Sequence, residues 1–380
     1  LEDEFPNHST YSLGGYDVTT TDDIRSFAAS WPTLLQLKNV ENVGGFAFQC
    51  RDHLEIWLRT IGSDRQTRPF LVSVSDKAGN PVMMIPLGVE KRSGIRFLGF
   101  LDGGVVDYNA PVLFGPASVL SEADFIALWN RICRLAPDHD VVELCKVPKH
   151  VGEAPNPFYK LAGNPWSASG YYLPLKEERQ RNTYSADNRR QRKRISEIGH
   201  LKFKIAQQQS EIDHVFNIFV RQKSRRYEET GANNGLADPA KRAYYSTLAQ
   251  RLSHGNGVQL SYLCVNNDII ATHWGLVAGR RFYYLMPAYE AGDWRRYSPG
   301  RLLLEELIAW SSANEIEVFD FGIGDEDYKL KWAAQPIALS GGLFPRTIIG
   351  NAYCAAMRTR GALKRHLPPG VIRAVRSMKG

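Results

Sequence analysis

Apolar residues recur along this chain with two periods, and each change of period marks a change of element. Short apolar or alternating runs between turn residues predict strands at 16–20, 70–75, 81–89, 94–101, 105–114 and 140–147. Asp76-Lys-Ala-Gly-Asn80 has the composition of a hairpin turn. Helical spacing appears at 22–37 and 46–61, where Trp57 and Leu58 are core candidates. A third helix, Glu122–Leu135, is opened by Ser121 as a side-chain cap.

Residues 148–175 mix Pro, Gly and Asn with Phe158, Tyr159, Trp166, Tyr171 and Tyr172. So many aromatic groups predict an ordered crossing between domains rather than a solvated linker. A helix at 186–198 and a strand at 201–205 follow. A helical region at 211–253 is interrupted by a loop at 231–239, placed to cover a substrate pocket. Three strands, 258–265, 269–278 and 281–287, then reverse at Asn266-Asn-Asp268 and Gly279-Arg280. Next come a helix at 299–313, a strand at 316–321 and a short helix carrying Tyr328 and Lys329. Meander, helix and strand therefore occur twice in the same order, which predicts two copies of one α/β fold.

At 380 residues the length fits two domains. The composition, 43% hydrophobic and 23% charged, is that of a globular protein, and no apolar run approaches the ~20 residues of a membrane helix. The start, LEDEFPNHST, is acidic and shows no signal peptide. Cys50, Cys133, Cys145, Cys264 and Cys354 are too scattered for a disulfide framework or a zinc site, so a cytoplasmic, metal-free protein is expected. The formal charge of +7 favours anionic ligands. Much of it lies in Arg189–Arg194 and in the tail after Arg358. Three readings of the basic helix stand open: a solvated interdomain helix, a phosphate clamp and a nucleic-acid contact. The tail reads as a terminal packing segment, or as a weak contact with an anionic membrane surface.

The stretch Arg295–Trp332 concentrates the candidate chemistry. Ser298 is placed as an N-cap, Pro299 suits the first helical position, and Gly300 leaves the following amides uncovered. With Arg295, Arg296 and Arg301 nearby, such a helix start suits a phosphate. On that helix, Leu303, Leu304, Leu307, Ile308 and Trp310 mark the packed side, with Arg301 and Glu305 opposite. Asp320 shares a strand face with Ile316 and Val318, so it is either a site carboxylate or a structural one bonded to the glycine turn that follows. His273, among Ile269, Ala271 and Val277, is either a core histidine or a base, with Tyr284 and Met286 directed to the other side.

The order of elements resembles the GCN5-related N-acetyltransferase (GNAT) fold. Tyr297-Ser-Pro-Gly-Arg-Leu-Leu303 and Phe319-Asp-Phe-Gly-Ile-Gly-Asp-Glu-Asp-Tyr-Lys329 are similar to motifs of the CelD/BcsL acetyltransferases, which are associated with cellulose and exopolysaccharide synthesis. The resemblance covers roughly 185–345 and implies a tandem GNAT chain, an arrangement shared with Fem-type aminoacyl-tRNA-dependent transferases. It implies α/β domains at 1–180 (acceptor cleft) and 181–350 (catalytic), with a basic tail at 351–380. Each domain would hold a mixed, mostly antiparallel sheet flanked by helices.

The implied activity is direct transfer from acetyl-CoA or another acyl-CoA to an amine or hydroxyl of a small-molecule or saccharide acceptor, without metal or DNA. The pyrophosphate would rest on the amides of Gly300, Arg301 and Leu302, with Arg295, Arg296, Ser298 and Lys329 as further contacts. Of the family signature Gln/Arg-x-x-Gly-x-Gly/Ala, occupied here by Tyr297, Gly300 and Leu302, only the middle glycine matches. Tyr328 takes the place of the tyrosine that protonates the departing thiolate. Attack by an amine needs a base, for which Asp320, His273 and Glu306 are candidates in that order. The alternatives are a transferase using aminoacyl-tRNA and a binding module that kept the fold without the chemistry.

Overall fold

The computed structural model describes residues 8–39, 43–115, 120–175, 186–252, 257–332 and 334–366. Strands β1 (Ser9–Leu13) and β2 (Tyr16–Thr21) form a hairpin, followed by α1 (Leu34–Asn39), β3 (Val43–Gly44) and α2 (Arg51–Trp57). The helix expected over 22–37 is broken into a turn at Ile24–Phe27 and α1. Pro32 lies between them, and a proline disfavours helix both at its own nitrogen and at the residue before it.

The first meander is β4 (Arg68–Asp76), β5 (Pro81–Arg92) and β6 (Ile95–Phe100), with β7 (Val112–Phe114) pairing Met83 and Met84 on the edge of β5 that β6 takes from Leu87 onward. The strand expected over 105–114 is loop up to 111. There Asn109 donates to the Asp102 carboxylate (2.7 Å) and the Cys145 carbonyl (3.0 Å) in place of a ladder. Helix α3 (Glu122–Leu135) opens on Ser121, whose hydroxyl accepts from the Asp124 amide at 3.1 Å, and β8 (Val141–Pro148) follows. The crossing is ordered, as β9 (His150–Val151), β10 (Ala154–Pro155), α4 (Pro157–Ala162), β11 (Asn164–Pro165) and β12 (Gly170–Pro174).

The second half opens with α5 (Ala186–Ser196), β13 (Leu201–Ile205), α6 (Gln209–Thr230) and α7 (Pro239–Leu252). Then come β14 (Val258–Val265), β15 (Asp268–Ala278), β16 (Arg281–Tyr289), α8 (Pro299–Ala313), β17 (Val318–Ile323) and α9 (Asp327–Lys331). It closes with β18 (Gln335–Ile337), β19 (Leu339–Pro345) and α10 (Ile348–His366). Cys354 on α10 packs with Phe97 and Val141 of the first sheet. Tail residues 367–380, which include Leu367, Val371, Ile372 and Val375, lie outside the described residues.

The chain forms two mixed, mostly antiparallel sheets flanked by helices. One runs β1-β2-β4-β5-β6-β8-β19-β11 and the other β13-β14-β15-β16-β17-β12-β18. In each, an antiparallel meander ends on a parallel pair, β6 with β8 and β16 with β17. The next strand then comes from the other half: β19 lies on β8, and β12 lies on β17. The sheets therefore exchange strands, and a cut at residue 180 does not separate them. One buried cluster spans both halves, from Val18, Trp57 and Leu98 to Phe219, Tyr244 and Trp274.

Candidate active site

The pairing of β15 with β16 passes from Trp274 and Met286 to Leu276 and Tyr283, so Gly275 faces two residues, Tyr284 and Leu285. This is a bulge in β16, and it bends the strand. A Cβ on Gly275 would lie 2.4 Å from the Tyr283 carbonyl oxygen, which makes glycine a requirement there. Parallel pairing of β16 with β17 ends just at the bulge, at Tyr283 and Asp320. Beyond it β17 stays with β12, while β16 continues to Tyr289 alongside β15. The two strands part, and a cavity of about 950 Å³ occupies the wedge.

The cavity is walled by Leu285, Pro287 and Tyr289 of β16, Phe321 and Ile323 of β17, and the start of α8. Six cations line it, Lys223, Arg226, Arg295, Arg301, Lys329 and Lys331, against the carboxylates of Glu305 and Glu326. Such a lining favours a polyanion. A Cβ on Gly300 would come within 3.1 Å of the Tyr289 ring, so glycine keeps the space over the helix start open.

That helix start differs from the sequence-based expectation. Ser298 has φ 54° and ψ 49°, and its side chain caps no amide. Its carbonyl instead accepts from the amides of Arg301 (3.0 Å) and Leu302 (3.3 Å). Those two amides are therefore committed within the turn, and the Leu302 side chain is fully buried. Among the described residues, the Gly300 amide is the donor left open. Arg295 lines the cavity, whereas Arg296 lies over the Tyr297 ring at 5.1 Å, with Arg194 at the same distance. Arg301 lines the cavity and pairs with Asp187 of the basic helix.

Asp320 is fully buried with both oxygens in use. Oδ1 accepts from the Tyr108 hydroxyl and the Gly322 amide, each at 2.8 Å, and Oδ2 accepts from Arg281 at 2.6 Å. It is bonded to the glycine turn, as its structural reading expects, and also to the first half. His273 is buried too. It is stacked on Tyr284 (4.8 Å, 8°) and Phe282 (5.5 Å, 25°), and neither ring nitrogen is bonded to any of the described residues. Burial, aided by Lys223, pushes its pKa down to about 3, so it is neutral at pH 7. Tyr284 lies flat on His273, not on the opposite side, because the bulge interrupts the alternation of the strand.

Glu306 accepts from Arg192 at 2.7 Å and does not line the cavity. Its neighbour Glu305, expected on the exposed side, is buried beneath Arg192 and does line it. None of the three carboxylate and histidine candidates, Asp320, His273 or Glu306, stands in the cavity with a basic atom to spare.

Tyr328 does line the cavity, with its ring edge-on to Phe321 at 6.1 Å, and Trp332 beside it in the lining. Burial and then Glu326 raise its pKa above the ordinary 10. Lys329 is buried and donates to the carbonyls of Gly324 (2.8 Å) and Gly322 (3.3 Å), while pairing with Glu326 at 2.8 Å. It therefore braces the turn after β17. Lys223, absent from the sequence-based candidates, donates to the Pro287 carbonyl at 3.1 Å. Burial and then Arg226 bring its ammonium down to about 8. Its spacing from Arg226 and Tyr227 on one helix was the available signal. The 231–239 loop does not line this cavity.

Residues 182–330 match the family model described as an acetyltransferase (GNAT) domain. No curated protein matches the sequence. The crystal structure of FemX superposes with a TM-score of 0.58 at 10% identity, over 91% of this chain and 98% of FemX, so the two share a fold across both halves. L-PGS from Bacillus licheniformis (TM-score 0.46, 10% identity, 80% of this chain and 95% of that one) aligns too loosely to carry weight. The same holds for a tandem GNAT protein from the clavulanic acid biosynthesis pathway (0.43, 10%, 80% and 90%). Residues 182–330 carry an acetyltransferase (GNAT) domain, and the chain is a transferase.

Proposed function

We propose that the chain transfers an acyl group from acyl-CoA, acetyl-CoA first among them, to an amine or hydroxyl acceptor. In this reading the second half holds the cofactor and the first shapes the acceptor side. The observation that carries the reading is the wedge between β16 and β17, opened by a bulge and lined by six cations. A pantetheine arm can make the strand contacts that β16 and β17 no longer make to each other. In this reading the Gly300 amide, Arg295 and Arg301 hold phosphates and Tyr328 protonates the departing thiolate, a reading supported by all four residues lining the cavity. A saccharide acceptor in polysaccharide synthesis rests on the likeness of 297–303 and 319–329 to CelD/BcsL motifs, and a cytoplasmic location on the five scattered cysteines.

The test is a calorimetric or thermal-shift titration with acetyl-CoA. A ligand at 100 times its dissociation constant stabilises the fold by ~2.7 kcal/mol, and the absence of any shift at millimolar acetyl-CoA would sink the proposal. A second reading, acyl transfer from aminoacyl-tRNA, is favoured by one observation. Exposed Arg189, Arg190 and Lys193 sit on α5, whose first turn reaches the cavity through Asn188. It requires tRNA binding that weakens steeply with salt.

A further inference from the structure

The first half holds a cavity of its own, of about 630 Å³, which shares no lining residue with the wedge between β16 and β17. Met83 of β5, Leu113 and Phe114 of β7, Phe125 and Ile126 of α3, and Leu161 of α4 give it an apolar wall. Ile126 is 46% exposed while lining it, so the cavity opens to solvent beside α3. Both cavities reach the first turn of the helix that follows a meander, α3 here and α8 in the second half, but the two helix starts differ in chemistry. The α8 start brings glycine and arginine. Helix α3 brings Glu122 and Asp124, and the Ser121 hydroxyl already takes the Asp124 amide. Glu122 lines the cavity and pairs with Lys160 of α4 at 2.6 Å. A phosphate would meet a carboxylate at that helix start, so this cavity is not a second copy of the cation-lined wedge.

Its other polar groups gather at the β9–β10 hairpin. The Asn156 backbone amide donates to the Lys149 carbonyl at 3.0 Å, and His150 pairs with Pro155 across the hairpin. Lys149, His150 and Asn156 all line the cavity. Asn156 is only 4% exposed. Its Oδ1 caps α4 by accepting from the Phe158 amide at 3.0 Å, while its buried Nδ2 has no acceptor among the described residues. A buried donor without an acceptor is costly, which calls for an oxygen there. Lys149 is exposed, and among the described residues its ammonium has no ion-pair partner. Of the lining lysines and carboxylates, Lys160 and Glu122 cancel, which leaves the one positive charge of Lys149.

From this arrangement we infer that the first-half cavity is a binding site for an aliphatic monocarboxylate, with the chain among Met83, Phe114, Phe125 and Leu161 and the carboxylate at the hairpin. One carboxylate oxygen accepts from Asn156 Nδ2, and the charge faces Lys149. Each part of the ligand answers a separate feature. The apolar wall selects the chain, the orphan amide selects an acceptor atom, and the single uncancelled cation selects one negative charge. The volume lies within the ~300–1,000 Å³ of small-molecule pockets. The site stands apart from the acyl-CoA reading, because nothing that lines the wedge takes part in it.

The test titrates decanoate calorimetrically into the full chain at neutral pH, beside 1-decanol and decyltrimethylammonium. Wild type should bind decanoate ~10-fold or more tightly than either of the others. Asn156→Asp keeps an oxygen for the Phe158 amide but replaces the donor with a second anion, and Lys149→Gln removes the cation. Each should weaken decanoate ~10-fold and leave 1-decanol within about twofold of wild type. Lys149→Gln changes an exposed side chain, so it decides the matter alone if Asn156→Asp melts early. Ile126→Trp, at a position already half open to solvent, fills the cavity and should abolish binding of both decanoate and the alcohol. A wild type that does not bind decanoate, or binds 1-decanol as tightly, overturns the inference. So does decanoate binding that survives Ile126→Trp or is unchanged by Lys149→Gln, since the ligand then sits elsewhere or ignores the hairpin.

Discussion

Burial and a neighbouring carboxylate act together on Tyr328, holding its hydroxyl protonated through the ordinary pH range. A general acid at that position therefore contributes no basic limb below pH 10. Tyr328→Phe is expected to lower single-turnover thiol release by ~10²-fold with little change in acetyl-CoA affinity, and unchanged release would exclude the role. Asp320 is the opposite case. Its charge faces Arg281 at 2.6 Å inside the protein, with two further donors on its other oxygen. Asp320→Ala leaves a guanidinium and a tyrosine hydroxyl without their acceptor, and a loss of about 3–5 kcal/mol is expected, read from the urea midpoint. A variant as stable as wild type but inactive would return Asp320 to the reaction.

At the level of elements, what was legible in the sequence follows from how local the cause is. Helix α3 and strand β13 have the expected bounds because capping and periodicity are set by a few neighbouring residues. The core leucines of α8 were legible for the same reason. Burial of Glu305 was not, because it depends on Arg192, far away in sequence, lying across that face. The bulge that makes the site also arises between strands. Its sequence trace is Gly275 inside an otherwise apolar strand, a signal for a bulge or a close backbone approach. The 105–111 loop reads as strand by its valines and tyrosine. It is pulled out of the sheet by polar partners, Asp102, Cys145 and Asp320, that only the tertiary fold brings near.

Across the whole molecule, the repeated order of elements predicted two copies of one fold, and the two sheets repeat it. The exchange of β12 and β19 between them could not be read from either copy alone, since each strand pairs outside its own repeat. The exchange ties the site to both halves. Strand β12 covers the outer edge of β17, and Tyr171 and Ser169 bind Asp325 in the turn that Lys329 braces and that leads to Tyr328. A fragment of residues 181–350 keeps the whole of the matched range 182–330, yet it leaves β17 with a bare edge and β19 without β8. Unpaired edges and an opened core of this size predict a fragment that aggregates or melts without a cooperative transition. Coexpression with residues 1–180 should restore a single sharp melt, because the two pieces together hold every strand of both sheets. If the isolated fragment unfolds cooperatively as a monomer and binds acetyl-CoA like the full chain, the first half is dispensable for the cofactor site, and the strand exchange serves only the acceptor side.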